Sequence, residues 1–119
     1  MSIEAAHPEQ NRTRSRTIAE VQQAIDRWIG QFEEGYWPPL ANLARLTEEV
    51  GELSREINHA HGPKKKRGED EVRIAEELAD VVIAAATLAN SLGIDLGSAV
   101  DASLDKVARR DAGRWKRKD

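Results

Sequence analysis

The chain contains no cysteine, so a disulfide framework and thiol chemistry are both excluded. It has no apolar run approaching the length of a membrane span, and its polar N-terminus lacks the apolar core of a secretory signal. A soluble, cytoplasmic protein is the expectation. Excess positive charge is missing too. Eighteen basic against 21 acidic residues leave a net charge of −3 and a pI near 5.7, which gives no support for binding a nucleic-acid polymer. With 119 residues the chain makes one domain near the lower end of the usual size range, with a limited core of its own. Partner chains are expected to supply the rest.

What the sequence has in quantity is charge, at 33% of residues. In such a chain a single Glu-x-x-Glu on a helix says little, because glutamate favours helices and charge runs usually face water. Two pairs in matching places say more. Thr47-Glu48-Glu49-Val50-Gly51-Glu52-Leu53 is answered downstream by Glu76-Glu77-Leu78-Ala79-Asp80-Val81-Val82. Glu49 and Glu52 lie three apart and project from one helical face, as do Glu77 and Asp80. If residues 40 to 92 fold into an antiparallel hairpin, Glu49 with Asp80 and Glu52 with Glu77 share one midpoint, between Lys64 and Lys65. All four carboxylates then converge on one patch. Each also precedes an apolar residue of the expected core stripe (Val50, Leu53, Leu78, Val81). Four negative charges at a half-buried edge repel unless a cation is present, and an all-oxygen ligand set suits Mg²⁺ or Mn²⁺.

The rest of the chain reads as four helices. Residues 1–16 are polar, without apolar periodicity, and read as a mobile arm. Thr17 and Glu20 form a capping box for a first helix whose stripe is Ile18, Val21, Ala24/Ile25, Trp28/Ile29 and Phe32, ended by Gly35. Tyr36-Trp37-Pro38-Pro39 turns the chain. The second helix, from Pro39 to His59, carries Leu40, Leu43, Leu46, Val50, Leu53 and Ile57 at the spacing of a bundle seam. Gly51 in its middle costs about 1 kcal/mol relative to Ala; either it leaves room for a metal-bound phosphate or it permits close helix packing. Glu56-x-x-His59 has the spacing of half a di-iron site, but the facing helix offers Asp80 and no histidine. Lys64, Lys65, Lys66 and Arg67 read as a solvated loop.

The third helix, from Glu71 to Leu92, becomes apolar nearly all round beyond Asp80 and so must be covered on several sides. This predicts a dimer or higher assembly. Gly93 ends it, Asp95 caps a fourth helix running to Ala112, and Lys106, Arg110 and Arg114 recur every four residues on one side of that helix. A basic stripe suits either a phosphate chain or an ordinary helix end, where the dipole favours cations. Residues 115–119 read as a tail, leaving 17–114 as the folded domain.

Glu-Glu-x-x-Glu followed after a loop by Glu-x-x-Asp resembles the signature of the MazG-like nucleotide pyrophosphohydrolases, in the all-α NTP pyrophosphatase superfamily, and most closely its short YpjD-like branch. The likeness runs from Trp37 through Arg55-Glu56-Ile57-Asn58-His59 and Ala89-Asn90-Ser91-Leu92-Gly93-Ile94-Asp95-Leu96 to Lys106 and Arg110-Asp111-x-x-Arg114-Trp115. The resemblance implies an antiparallel four-helix bundle-like fold, oligomeric, that hydrolyses a (deoxy)nucleoside triphosphate to monophosphate and pyrophosphate with Mg²⁺, or Mn²⁺. It makes Glu49, Glu52, Glu77 and Asp80 the metal ligands and catalytic carboxylates. Glu48 joins them by orienting the water, acting as base or binding metal, about 100° round the helix from Glu49. It also favours Arg45, Lys106 and Arg114 as phosphate contacts, with Arg110 joining them from its place on the same stripe; by their own chemistry Trp28, Trp37 and Asn42 are candidates for the base and sugar. House-cleaning of modified or damaged nucleotides is the expected task, with phosphoribosyl-ATP hydrolysis as a sister activity. The competing class is a non-enzymatic helical oligomerisation or partner-binding module.

Overall fold

The structure is a computed structural model, which describes residues 13–63 and 70–119. It is all-α: α1 (Ile18–Ile29), α2 (Pro39–His61), α3 (Asp70–Ser91) and α4 (Leu96–Asp111). No single helix among the described residues is long and apolar enough to cross a membrane. Of the arm expected over 1–16, residues 13–16 are described. Arg14 there donates to both carboxylate oxygens of Glu20, at 2.8 and 3.0 Å. The Lys64–Arg67 loop lies outside the described residues.

Local chemistry sets the helix ends. Thr17 and Glu20 form the full reciprocal capping box of α1. Pro39 opens α2, where its missing N–H removes no helical bond, and Asp95 caps α4 by accepting from the Ser98 amide at 3.1 Å. The first helix stops earlier than its stripe suggests. Gly30, not Gly35, is its C-cap, donating to Asp26 and Trp28 carbonyls, and a short turn follows in which Phe32 N bonds to Ile29 O at 3.1 Å. Phe32 therefore lies beyond the helix, yet its ring meets Trp28 edge-on at 5.2 Å. Gly35 and Gly93 both adopt positive φ, 65° and 68°, where a side chain would strain the backbone. At Gly93 the chain bends by 109° from α3 into α4.

α2 and α3 form the principal helix pair, α1 lies on α3, and α4 packs on α1. The apolar core is small: Ala24 and Ile25 of α1 against Ala84, Ala86 and Ala89 of α3. Small side chains let those helices approach closely.

One expectation about α2 is corrected. Its buried positions are Asn42, Glu49 and Glu56, spaced by sevens and polar. Of the expected seam, Leu46 and Leu53 are half-buried on that same side, while Leu40 80%, Leu43 47%, Val50 47% and Ile57 42% are exposed. On α3, Leu78, Val82 and Ile83 are likewise uncovered. Within the chain, α2 turns its buried acids together with Leu46 and Leu53 inward and leaves Leu40, Leu43, Val50 and Ile57 uncovered. Gly51 meets nothing within 4 Å where a Cβ would stand, so close packing inside the chain does not explain it.

Candidate active site

The antiparallel register brings the carboxylates together as their shared midpoint requires. Oxygens of Glu49, Glu52 and Glu77 all lie within 4.8 Å of one another. Asp80 completes the patch, close enough for the charges of Glu49 and Glu52 to act on it. Glu48 stays exposed on the flank of α2, outside the trio.

The electrostatics are those of crowded acids. Desolvation, then the charge of Glu52 and a hydrogen bond shared with it, then Asp80 and Glu49, push the Glu77 carboxyl above its ordinary range. Desolvation and Glu49 do the same to Asp80, with Arg45 partly offsetting them and Glu52 adding to the rise. Arg45 donates from Nε to Glu49 Oε1 at 3.0 Å. The other oxygen of Glu49, Oε2, and Oε2 of Glu77 are buried without a hydrogen-bond partner. Buried, orphaned carboxylate oxygens of this kind carry a desolvation penalty that a cation would relieve. The residues therefore fit a hard divalent ion held by oxygen alone.

Beside the carboxylates opens a cavity of about 390 Å³, within the range of small-molecule sites. Trp28, Phe32, Tyr36 and Trp37 wall it, Asn42 and Thr87 offer polar groups, and Arg45 and Asp80 border it on the acidic side. Asn42 is buried, its amide donating to the Trp37 carbonyl at 2.9 Å, which fixes the turn carrying that indole. Trp28, Trp37, Asn42 and Arg45, all picked from the sequence, thus meet at one place.

The basic stripe of α4 does not join them within the chain. Lys106, Arg110 and Arg114 do not border the cavity. Arg110 pairs with Asp111 at 3.0 Å, and Arg114 reaches Asp111 at 3.4 Å with its guanidinium over the Trp115 ring. The di-iron spacing also finds no support: Glu56 pairs with Arg73 at 3.1 Å, and His59 is not part of the acidic group.

Sequence reasoning missed a polar network behind the cavity. Asn90 donates to Gln22 O and to the Tyr36 hydroxyl, each at 2.9 Å, and accepts from Gln22 Nε2 at 2.7 Å. The Tyr36 hydroxyl in turn donates to Asp26 at 2.9 Å. Gln22 also accepts from the Leu96 amide at 3.0 Å. An asparagine among the apolar residues ending α3 was the available signal, since a polar group there needs partners.

Comparison with known proteins agrees with this geometry. The MazG nucleotide pyrophosphohydrolase domain matches residues 38–115. The chain is 50% identical over 105 residues to the uncharacterized protein YpjD of Bacillus subtilis (strain 168), covering 87% of this chain and 95% of that one. It is 36% identical over 103 residues to the dATP/dGTP diphosphohydrolase of cyanophage S-2L, covering 87% and 82%. Among crystal structures, YpjD from Bacillus subtilis superposes with a TM-score of 0.73 at 49% identity, over 79% of this chain and 97% of that one. A Bacillus-conserved MazG protein described as a nucleotide pyrophosphohydrolase gives 0.69 at 46%, over 79% and 92%. These findings set aside the non-enzymatic reading: the chain belongs to the MazG family and is a nucleotide pyrophosphohydrolase.

Proposed function

We propose that the enzyme hydrolyses nucleoside triphosphates between the α and β phosphates, releasing nucleoside monophosphate and pyrophosphate, with Mg²⁺ or Mn²⁺ as cofactor. The observation that carries this is one of adjacency: a four-carboxylate patch with orphaned oxygens shares Asp80 and Arg45 with an aromatic-walled cavity. A triphosphate needs the first and a nucleoside the second. Glu49, Glu52, Glu77 and Asp80 hold the ion, which supplies charge neutralisation of phosphate oxygens and a more acidic water. Arg45, anchored by Glu49, presents positive charge where the phosphate chain leaves the cavity. Glu48, exposed beside the ligand trio, is the candidate to orient or deprotonate the attacking water. Trp28 and Trp37 offer faces for the base, and Asn42 a polar contact.

The cyanophage relative acts on dATP and dGTP by its name, so purine deoxynucleotides head the substrate panel. Modified nucleotides follow, for a house-cleaning role, then phosphoribosyl-ATP. The outward apolar faces of α2 and α3 support an assembly with further copies of this chain, in which α4 of one copy brings Lys106, Arg110 and Arg114 toward the site of another. The test is pyrophosphate release across the panel by wild type, Glu52→Gln and Asp80→Asn. Wild type should release pyrophosphate and monophosphate in equal amounts. Each variant should lose about 10²-fold or more in kcat, as expected when charge stabilisation of a transition state is removed. Activity surviving in both variants would place the chemistry elsewhere.

A further inference from the structure

The carboxylate cluster cannot align the hairpin that builds it. Glu49, Glu52, Glu77 and Asp80 repel one another, so in the absence of a cation they favour separation or slippage of α2 along α3. Of the α2 seam, Leu40, Leu43, Val50 and Ile57 are exposed and Leu46 and Leu53 are half-buried, so apolar packing within the chain offers the register few anchors.

One turn beyond Glu52 the chemistry changes sign. Glu56 is 2% exposed, and Arg73 of α3 reaches in from a half-exposed position to place Nη2 3.1 Å from its Oε1. Glu56 and Arg73 are equidistant from the same midpoint that relates Glu49 to Asp80 and Glu52 to Glu77. The pair is thus the next rung of the same ladder, attractive where the two rungs above it are repulsive. Sliding α3 by one turn would break the 3.1 Å contact between Arg73 and a desolvated carboxylate, which is unfavourable. A buried charged pair is poor at adding net stability but well suited to fixing register.

We propose that Glu56 and Arg73 are positioning residues that key α2 against α3 and so hold the four carboxylates at metal-binding spacing. This rests on reading the acidic cluster as the metal site. The test compares wild type, R73M, R73K and the double variant E56M/R73M. The double variant replaces the pair by packed apolar side chains and removes the stranded charge, so it keeps the helical fold. Mn²⁺ binding is read by electron paramagnetic resonance without nucleotide, alongside helical circular dichroism and pyrophosphate release. If the pair keys the register, folded E56M/R73M binds Mn²⁺ about tenfold or more weakly, the scale seen when groups supporting metal ligands are lost. Its kcat falls while KM for nucleotide changes little, because the cavity lies at the other end of the cluster. R73K, which keeps the charge, stays closer to wild type than R73M does. Unchanged Mn²⁺ affinity in E56M/R73M overturns the proposal whatever its melting temperature. Wild type that binds Mn²⁺ yet cleaves no nucleotide would instead overturn the substrate reading, and the Mn²⁺ comparison would still judge the pair.

Discussion

Glu20 and Glu77 are both glutamates on helices, and their neighbours set them to opposite behaviour. Arg14, then the backbone and hydroxyl of Thr17, hold the Glu20 carboxyl down to about 2. Desolvation and three neighbouring acids hold Glu77 up, and Asp80 with it. For Glu77 and Asp80, folding disfavours the charged form. Their ionisation therefore costs stability at neutral pH, and that cost disappears as pH falls through their raised values. Glu20 has the other sign: its contribution is present above its ordinary 4.5 and lost between there and about 2. Metal-free protein should accordingly melt at a higher temperature as pH falls from neutrality through the raised values of Glu77 and Asp80, then at a lower one in stronger acid. Mg²⁺ at about 100 times its Kd should add about 2.7 kcal/mol by linkage. That gain should shrink as pH falls through the same range, because protons compete for the same oxygens. Scanning fluorimetry with and without Mg²⁺ across this range reads both effects. A Mg²⁺ shift that is absent at pH 7, or that survives unchanged in Asp80→Asn, would remove the metal from these residues.

On α2 the heptad of leucines and the heptad of polar residues coexist, and periodicity alone could not say which faces the partner helix within the chain. The sequence does contain the answer in another form, because Glu49, Glu52 and Glu56 share a midpoint with Asp80, Glu77 and Arg73. That symmetry made the acidic patch legible before any coordinates. Hydrophobic pattern, by contrast, does not distinguish burial within the chain from burial elsewhere, and so placed Leu46 and Leu53 on the inward side but Leu40, Leu43, Val50 and Ile57 wrongly. Helix ends were legible where a side chain does the capping, as at Thr17 and Asp95. The end of α1 was not, since Gly30 and Gly35 are equally good stop signals on paper. Hidden too was the tie between α1, the turn before α2 and the end of α3, made by Gln22, Tyr36 and Asn90, because long-range hydrogen bonds leave no local period. Asn90→Ala should cost about 1–3 kcal/mol by leaving partners unpaired. It should also release Tyr36 from the cavity wall, raising KM for nucleotide more than it lowers kcat. Steady-state kinetics beside a thermal melt checks this. A melt change with KM untouched would confine Asn90 to stability.

At the scale of the whole molecule, a 119-residue chain leaves Leu40, Val50, Leu78, Val82 and Leu104 about half exposed or more, while its basic stripe on α4 stands apart from its own cavity. The proposed second copy would answer both features, covering the apolar face and bringing Lys106 to a neighbour's phosphate site. Patches this apolar on a small domain mark interaction surfaces, and identical chains meet through self-complementary ones. Sedimentation should therefore find a dimer or tetramer, and Val50→Glu, which buries a charge in that contact, should shift it toward monomer with loss of activity. Mixing separates the two roles of assembly. Glu52→Gln lacks a metal ligand but keeps Lys106; Lys106→Ala keeps the ligand but lacks the cation. If Lys106 serves the neighbour's site, each variant is impaired alone, and mixed oligomers regain activity because one site in them has both residues. If Lys106 serves only its own chain, every site in the mixture still lacks one of the two, and no activity returns. Recovery on mixing, absent when Val50→Glu is added to both partners, would tie the exposed seam directly to catalysis.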